Sequence, residues 1–364
     1  MEKTKKLAVL LGFVLVIFGL AIAGLLLPDK EISQWERRKL AKLPELSWEN
    51  IVSGDSAEQL EKYLLDHFPL RDSFRSIKAV TNQNIFFLRD NNGLFYKDGA
   101  VYKLEYPLDE KQVLTAAKKF EAICAAHPEL GKAYYSIIPD KAYFTAAQNG
   151  YPVMDYEKLV ALMKENVEIP EYIDIIPLLH AEDYYKTDTH WRQERILPVA
   201  ERLCMAMGAD FAGAESFESH SLSPFYGVLY GQAALPLPGE ELLYLTSEAT
   251  ENALVSSVEH KEPMPVYNTE EFKGTDPYDV FLSGAEAVVT IENPKAKTDK
   301  TLVIFRDSFG SSLAPLLIDS YAKITLVDLR YIVSDLVGDY VDFKNADVLF
   351  IYSTLLINSA GLLK

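Results

Sequence analysis

Hydrophobic residues form one continuous run near the start of the chain, from Leu7 to Leu27. A helix of this length rises about 30 Å, which is the thickness of a bilayer's hydrocarbon core. Lys3, Lys5 and Lys6 precede the run, so the positive-inside rule predicts that the rest of the chain lies outside the cytoplasm. A cleaved signal peptide is the alternative, because Ala21-Ile22-Ala23 fits a cleavage site. The run is longer than a usual signal core, so we predict a retained membrane anchor.

Amphipathic helical patterns follow the apolar run. They cover Glu58 to Leu65 and Ser73 to Thr81, and Pro69 separates them. Residues 85–104 then predict short strands around a turn at Asn91-Asn92-Gly93.

From about residue 108 the pattern alternates between helices and continuous apolar strands. Helices are predicted at 109–127, 155–166, 191–207 and 311–322, and strands at 132–138, 172–179, 301–305, 323–329 and 347–353. Continuous apolar strands separated by helices are typical of a parallel sheet that is covered on both faces. Residues 209–300 interrupt this alternation with many Gly, Pro, Ser and Glu residues, which predicts a long insertion or lid.

These patterns divide the chain into three predicted parts. Residues 1–28 form a short cytoplasmic tip and a transmembrane anchor, and residues 29–80 form a helical lead-in. Residues 81–364 form an α/β domain that carries the insertion at about 209–300.

Composition and charge narrow the classes of partner. The formal net charge is −17, and the chain has 21 Tyr and 18 Phe. A surface this acidic repels phosphate, which disfavours nucleic acid and the docking of the main domain on anionic lipid. The many aromatic residues argue against disorder.

The two cysteines, Cys124 and Cys204, each lie in an apolar helical pattern, which favours two buried thiols. A disulfide between them in an oxidising compartment stays an alternative. No Cys/His cluster has zinc spacing, so we expect neither a metal nor a cofactor.

Asp188 and His190 form the first candidate catalytic pair. In an extended segment, residues i and i+2 lie on one side, so the carboxylate can hold the imidazole while the imidazole acts as a base. The alternative is a helix start at about residue 191, with Asp188 or Thr189 as its N-cap.

Ser308 is the candidate nucleophile. It follows the predicted strand at 301–305 and precedes a helix, which exposes its hydroxyl at the edge of the sheet where sites of open α/β folds lie. Free N–H groups near Ser308 to Gly310 can receive an oxyanion. The alternative is an N-cap formed by Asp307 or Ser308. Ser73 lies in the same Arg-Asp-Ser-Phe tetrapeptide but follows no strand, so we expect only an N-cap there.

These residues, in this order, resemble the DHHW family of bacterial cell-envelope proteins, which is related to the SGNH-hydrolase-like alginate O-acetyltransferases. The resemblance extends from Ser33 to Gly310. It rests on segments 33–40 with Pro44, 66–72, 93–95, 138–141, 188–191, 225–229 and 306–310. Thr189 stands where the family name has its first His.

The resemblance implies an SGNH-hydrolase-like three-layer sandwich with a parallel sheet and a permuted motif order, Asp-x-His before Ser. It implies an extracytoplasmic O-acetyltransferase or acetylesterase for an envelope polysaccharide, with a multi-spanning membrane acyltransferase as the acetyl donor. Ser308, His190 and Asp188 would be catalytic, and we expect Trp191, Arg306 and Tyr226 to contribute to substrate binding. The Gly and Asn that complete the oxyanion hole of ordinary SGNH enzymes have no match here.

The alternative function is a non-catalytic polysaccharide-binding or assembly protein on the same fold. Arg306 beside the serine motif, where many SGNH enzymes have Gly, and the unmatched oxyanion residues favour it. Fold likeness alone does not decide between the two functions.

Overall fold

A computed structural model describes residues 2–33, 35–45 and 47–364. Gln34, which falls in the segment at 33–40 of the family resemblance, lies outside the described residues. The chain forms two compact units. One contains the residues up to Asn91 together with Tyr230–Leu237, and the other contains Asn92–Leu229 and Pro238–Lys364. The predicted division at residues 28 and 80 stays a prediction.

The helices and strands within the described residues are as follows. The helices are α1 (Glu2–Leu26), α2 (Trp48–Ser53), α3 (Asp55–Asp66), α4 (Arg71–Asn84), α5 (Glu110–Ala126), α6 (Tyr156–Asn166), α7 (Leu197–Ala206), α8 (Val228–Ala233), α9 (Glu248–Asn252), α10 (Phe309–Leu313) and α11 (Thr354–Ile357). The strands are β1 (Ile32–Ser33), β2 (Arg38–Lys39), β3 (Leu94–Lys97), β4 (Ala100–Lys103), β5 (Ala133–Ile138), β6 (Glu171–Tyr172), β7 (Glu218–Phe225), β8 (Glu240–Thr246), β9 (Leu254–Ser257), β10 (Val288–Glu292), β11 (Thr301–Arg306), β12 (Lys323–Val327) and β13 (Asp347–Ser353).

In the first unit, the apolar run forms the helix α1. Within Lys3–Leu26, an 18-residue stretch has a mean hydropathy of 2.9 and none of it is buried in the protein, so its length and composition suit a membrane span or a signal sequence.

An ion cluster joins the two segments of this unit that carry the family resemblance. Arg38 donates hydrogen bonds to both carboxylate oxygens of Asp66, and these bonds lower the pKa of Asp66 to about 2. Glu36 accepts a 2.6 Å hydrogen bond from Arg71 and lies 3.2 Å from Arg75. These ion pairs connect the chain around β2 to the helices α3 and α4.

A seven-stranded sheet forms the centre of the second unit, in the order β6-β5-β13-β11-β12-β10-β9. The first five strands are parallel, whereas β10 is antiparallel to both of its neighbours. The predicted α/β class with a parallel sheet is therefore correct for most of the sheet. Its far edge is mixed because residues 209–300, predicted as an insertion, contribute β9 and β10 to it.

Helices cover both faces of this sheet, as continuous apolar strands predict. In β5, Tyr134 and Ile138 face a core that includes α7 and α10, whereas Tyr135 and Ile137 face a core with α5 and α6. The predicted helices at 109–127 and 155–166 are confirmed. Asp109 and Asp155 cap them by accepting backbone N–H groups of the first turn.

Three other predicted elements differ in the structure. Residues 172–179 contain only the end of β6 and then a 3-10 turn, Ile176–Leu178, because Pro177 opens a helical turn. The helix predicted from 191 begins at Leu197, since Trp191 pairs with Tyr184 in an antiparallel bridge. Residues 311–322 divide between α10 and the 3-10 helix Ala314–Ser320, where Pro315 prevents regular α-helical bonding.

The hairpin predicted around Asn91-Asn92-Gly93 turns instead at Asp98 and Gly99, between β3 and β4. Both turn residues have positive φ, 49° and 84°, as the two-residue type I′ hairpin turn requires. Residues 85–90 contain no strand.

Cys124 and Cys204 are buried free thiols, so the structure contains no disulfide between them. Burial raises the pKa of Cys124 to about 12 and of Cys204 to about 11, which makes both thiols unreactive at neutral pH.

Candidate active site

Asp188, His190 and Ser308 lie in one hydrogen-bonded line. His190 Nε2 is 2.7 Å from Ser308 Oγ, and His190 Nδ1 is 2.6 Å from Asp188 Oδ1. With a proton on Nδ1, the imidazole donates to the carboxylate and accepts the serine hydroxyl through Nε2. The three residues are spaced as a nucleophile, a base and a group that orients the base.

The Ser308 side chain does not cap the helix that follows it. Ser308 stands before α10, but its hydroxyl makes no capping bond and faces His190 instead. Asp307 forms the capping bond instead, because its side chain accepts the N–H of Phe309 at 3.1 Å. It also accepts the N–H of Ser353 at 2.9 Å. The hydroxyl is therefore free for His190.

Asp188 does not begin a helix either. Its Oδ1 accepts the backbone N–H of His190 at 3.0 Å as well as Nδ1 of the ring, and its Oδ2 accepts the N–H of Val228 at 2.8 Å. The side chain is fully buried. These donors stabilise the charged carboxylate and fix its orientation towards the imidazole.

The segment that leads into α8 packs against Thr187 and Asp188. Thr187 Oγ1 accepts the N–H of Gly227 at 3.0 Å and donates to Glu240, which also accepts the N–H groups of Lys186 and Thr187. A Cβ on Gly227 would collide with Asp188 Cβ and the Thr187 carbonyl, so only glycine allows this approach.

Two aromatic rings hold the imidazole of His190. The ring of Tyr278 stacks on it in parallel, with centroids 3.8 Å apart and an interplanar angle of 6°. Phe309 contacts it at a centroid distance of 4.9 Å. Tyr278 is itself fixed, because its hydroxyl donates to Ser312 Oγ at 2.8 Å. These contacts restrict rotation of the imidazole away from the orientation in which it bonds to Asp188 and Ser308.

The backbone near Ser308 offers fewer oxyanion donors than the sequence predicts. The N–H of Phe309 donates to the Asp307 side chain and the N–H of Gly310 to the Asp307 carbonyl at 3.0 Å. Both groups are occupied because the turn folds around Asp307. Across the part of the chain that the structure describes, no acceptor is found for the N–H of Ser308 itself.

Lys141 is buried beneath the loop that carries Asp188 and His190. Its ammonium donates to the carbonyls of Tyr185, Lys186 and Asp188 at 2.7, 3.1 and 3.0 Å. Three N–H donors meet three carbonyl acceptors, which fixes the loop. Burial lowers the pKa of Lys141 to about 7, although Asp188 and Glu240 oppose the shift.

Replacing Lys141 with methionine is expected to lower the free energy of unfolding by about 1–3 kcal/mol, because buried carbonyls lose their donor. The lowered pKa adds a pH dependence. Between about pH 7 and the ordinary lysine pKa of 10.5, the unfolded chain binds more protons at Lys141 than the folded protein does. The contribution of Lys141 to stability therefore rises with pH in this range. Below about pH 7 both states are protonated and the contribution is constant.

Urea unfolding at several pH values tests this expectation. The difference in unfolding free energy between the wild type and Lys141→Met should widen as the pH rises from about 7 to about 9. Lys158→Met is the matched control, since the side chain of Lys158 is exposed and paired with the exposed Glu110, so its replacement should change stability little. A wild-type-to-Met difference that stays constant with pH would contradict the shifted pKa.

Two of the three predicted substrate-binding residues lie in the protein interior. Trp191 is fully buried, and its indole N–H donates to Ser312 Oγ at 2.9 Å. Arg306 is 1% exposed, lies 3.6 Å from Asp328, and packs under Gly310. Neither has surface for a substrate, because an apolar core and α10 cover them. Tyr226 is half-buried, and its role stays a prediction.

Sequence reasoning did not assign roles to Lys141, Gly227 or Tyr278. Lys141 and Gly227 fall in two of the segments that carry the family resemblance, so those segments were the signal for them. Tyr278 lies in the predicted insertion, where no pattern marks it. Among the described residues, no group of three or more His, Cys, Asp or Glu is arranged to hold a metal ion.

Comparison with known proteins relates the chain to one family. The family model described as "DHHW protein" matches residues 156–327, a range that contains Asp188, His190 and Ser308. The match confirms, over these residues, the resemblance predicted from the sequence. No curated protein matches the sequence.

Solved structures share the fold. A DHHW family protein from Eubacterium siraeum aligns with a TM-score of 0.58 at 18% identity, over 75% of this chain and 95% of its own. Bacillus cereus PatB1, solved with a sulfonyl adduct, aligns with a TM-score of 0.57 at 16% identity, over 72% and 97% of the two chains. The O-acetyltransferase domain of Pseudomonas putida AlgJ is a more distant match, with a TM-score of 0.45 at 11% identity, over 73% of this chain and 92% of its own.

Proposed function

We propose that this chain, whose residues 156–327 match the DHHW family, is an O-acetyltransferase or acetylesterase that acts on a cell-envelope polysaccharide. The observation that carries the proposal is the continuous line from Asp188 through His190 to Ser308. The finer fold assignment, an SGNH-hydrolase-like three-layer sandwich with permuted motif order, belongs to the same proposal. It is supported by the covered sheet and by the order Asp188, His190, Ser308 along the chain.

In the first half of the proposed reaction, Ser308 Oγ attacks the carbonyl carbon of an acetyl ester while His190 Nε2 takes the hydroxyl proton. Asp188 stabilises the imidazolium that forms. The tetrahedral intermediate collapses, the ester C–O bond breaks, and the leaving alcohol receives the proton from His190. Acetyl-serine remains. The N–H of Ser308 is the donor that the backbone leaves for the oxyanion.

In the second half, a hydroxyl group attacks acetyl-serine. His190 takes the proton of a sugar hydroxyl or of water and returns it to Ser308 Oγ as the serine leaves. Attack by sugar gives an acetylated glycan, and attack by water gives acetate. The reaction uses no cofactor and no metal.

The helix α1 gives the proposal its location. Its length, its hydropathy and the three lysines before it support a single-pass anchor with the C-terminal part outside the cytoplasm. A secreted form after signal cleavage is the alternative. At the outer membrane face, the donor of acetyl groups would be a multi-spanning membrane acyltransferase, and the acceptor a nascent polysaccharide.

Turnover of an acetyl-ester reporter by the purified protein tests the proposal. We expect acetate release, and transfer of labelled acetyl to an added polysaccharide with free hydroxyls. The absence of turnover with several acetyl donors, from a protein with the native thermal transition, would contradict an enzymatic role.

The alternative is a non-catalytic polysaccharide-binding or assembly protein. The occupied N–H groups of Phe309 and Gly310 favour it, because they leave few donors for an oxyanion. Glycan binding that persists in Ser308→Ala and His190→Ala, without turnover of any acetyl donor by the wild type, would support this function.

A further inference from the structure

Apolar side chains are concentrated on the exposed outer side of the first unit, in α3, in α4 and in the segments that follow them. We define the lead-in surface by Leu60, Leu64, Phe68, Phe74, Ile77 and Phe86. These side chains are between 38% and 64% exposed. Phe68 and Phe74 contact each other, with ring centroids 5.7 Å apart, so the surface continues from the end of α3 into α4.

The helix α4 has two different faces. Arg75 donates to the carbonyl of Gly231 at 2.9 Å and Ser76 to the carbonyl of Ala234 at 2.8 Å, so this face packs within the unit. Phe74 and Ile77, one turn apart, lie on the opposite face and are exposed. A soluble helix carries polar side chains on that face. An exposed apolar area of this kind marks an interaction site.

The lead-in surface begins at the outer end of α1. Tyr63 of α3 donates to Asp29 at 2.7 Å, and Asp29 comes three residues after α1 ends. A Cβ built on Gly24 would lie 3.6 Å from the ring of Pro69, so α1 passes directly against the turn between α3 and α4. Any bilayer that holds α1 therefore reaches this turn.

The charge of the lead-in suits a bilayer surface. Residues 29–91 contain eleven acidic and ten basic side chains, so nearly all of the net charge of −17 lies elsewhere in the chain. An almost neutral segment does not repel a lipid headgroup layer, unlike the acidic remainder. Trp48 is also 79% exposed, and tryptophan is enriched at membrane–water interfaces.

We propose that the lead-in surface lies in the interfacial layer of the membrane that α1 spans, with Phe74, Ile77 and Phe86 among the acyl chains near the headgroups. This inference rests on the membrane anchor of the proposed function and does not depend on catalysis. Contact through amphipathic helices adds area to a single-helix anchor. It would hold the unit at a fixed depth instead of on a free tether.

Nitroxide labels on the full-length protein in phosphatidylcholine nanodiscs test the inference. Single cysteines are introduced as Ile77→Cys, Phe86→Cys, Val14→Cys and Ser219→Cys, since native Cys124 and Cys204 are buried. Collision with oxygen reports lipid, and collision with a nickel chelate reports water. We expect labels at 77, 86 and 14 to collide preferentially with oxygen, and the label at 219, which is an exposed polar position, with nickel.

The label at position 14 in α1 distinguishes failure of the lead-in contact from failure of the membrane anchor. If position 14 is in lipid but 77 and 86 contact nickel as freely as 219, the anchor stands and the lead-in surface does not touch the membrane. If position 14 is also in water, the anchor and the inference both fail. Shielding of 77 and 86 from both agents would assign the surface to a protein partner and overturn the lipid contact. Reporter turnover, measured on the same samples, is independent of all three outcomes.

Discussion

Ser308→Ala is expected to reduce acetyl-ester turnover by about 10³-fold or more, while leaving the fold intact. Among the described residues, the hydroxyl is hydrogen-bonded to His190 Nε2 alone and caps no helix, so its removal deletes the nucleophile without disturbing α10. Residual hydrolysis would come from water held by His190 and would lack an acetyl-enzyme. The measurement is the initial rate of reporter hydrolysis, together with the thermal transition of each protein.

Ser73→Ala is the matched control for this substitution. Ser73 occupies the same tetrapeptide, Arg-Asp-Ser-Phe, but it lies exposed within the first turn of α4, and Leu70 stands at the N-cap position. The predicted cap at Ser73 is therefore wrong, and the side chain is expected to contribute little. Equal rates for Ser308→Ala and the wild type would remove Ser308 from the mechanism.

Asp188→Asn is expected to lower turnover by about 10³- to 10⁴-fold, because the amide imposes the wrong tautomer on His190. The carboxylate receives donors on both oxygens, from the N–H and Nδ1 of His190 and from the N–H of Val228. An amide NH₂ must face one of these donors. If it faces the ring, the proton moves to Nε2, and His190 can no longer accept the proton of Ser308.

Stability distinguishes this electrostatic effect from simple unfolding. We expect the loss of one buried acceptor to lower the unfolding free energy by about 1–3 kcal/mol, which leaves the protein folded at room temperature. Asp98→Asn is the control, since Asp98 is exposed in a turn with positive φ that asparagine also favours. A folded Asp188→Asn variant with wild-type turnover would show that the carboxylate does not orient the base.

Four strands of the parallel part, β5, β11, β12 and β13, were predictable from the sequence because each is a largely apolar run that is buried on both faces. The short, partly exposed β6 was not. The pairing of Ser308 with His190 follows partly from the same pattern. Ser308 comes two residues after β11 ends, and strand ends of a parallel sheet share one edge. The two-residue spacing of Asp188 and His190 indicated one side of an extended segment, and the two side chains bond to each other while His190 also bonds to Ser308.

The remaining parts of the site depend on contacts that no local pattern encodes. Tyr278 stacks on His190 across 88 residues of chain, and Val228 reaches Asp188 across 40. A lysine is ordinarily charged and exposed, which is what the sequence predicts for Lys141. Its side chain is instead buried, and its ammonium donates to three backbone carbonyls. Trp191 and Arg306 were predicted to contribute to substrate binding. Trp191 adjoins His190, and neighbouring side chains of an extended segment point to opposite faces. Arg306 is buried beneath Gly310 of α10.

Reaction with a sulfonyl fluoride, followed by peptide mass spectrometry, tests the activated serine most directly. Such reagents form a stable ester with a serine whose proton a neighbouring base removes, and the chain contains its own reference in the second Arg-Asp-Ser-Phe sequence. We expect a sulfonyl adduct on Ser308, none on the more exposed Ser73, and a loss of turnover that parallels the labelling. Labelling of neither serine, or equal labelling of both with turnover retained, would contradict this expectation.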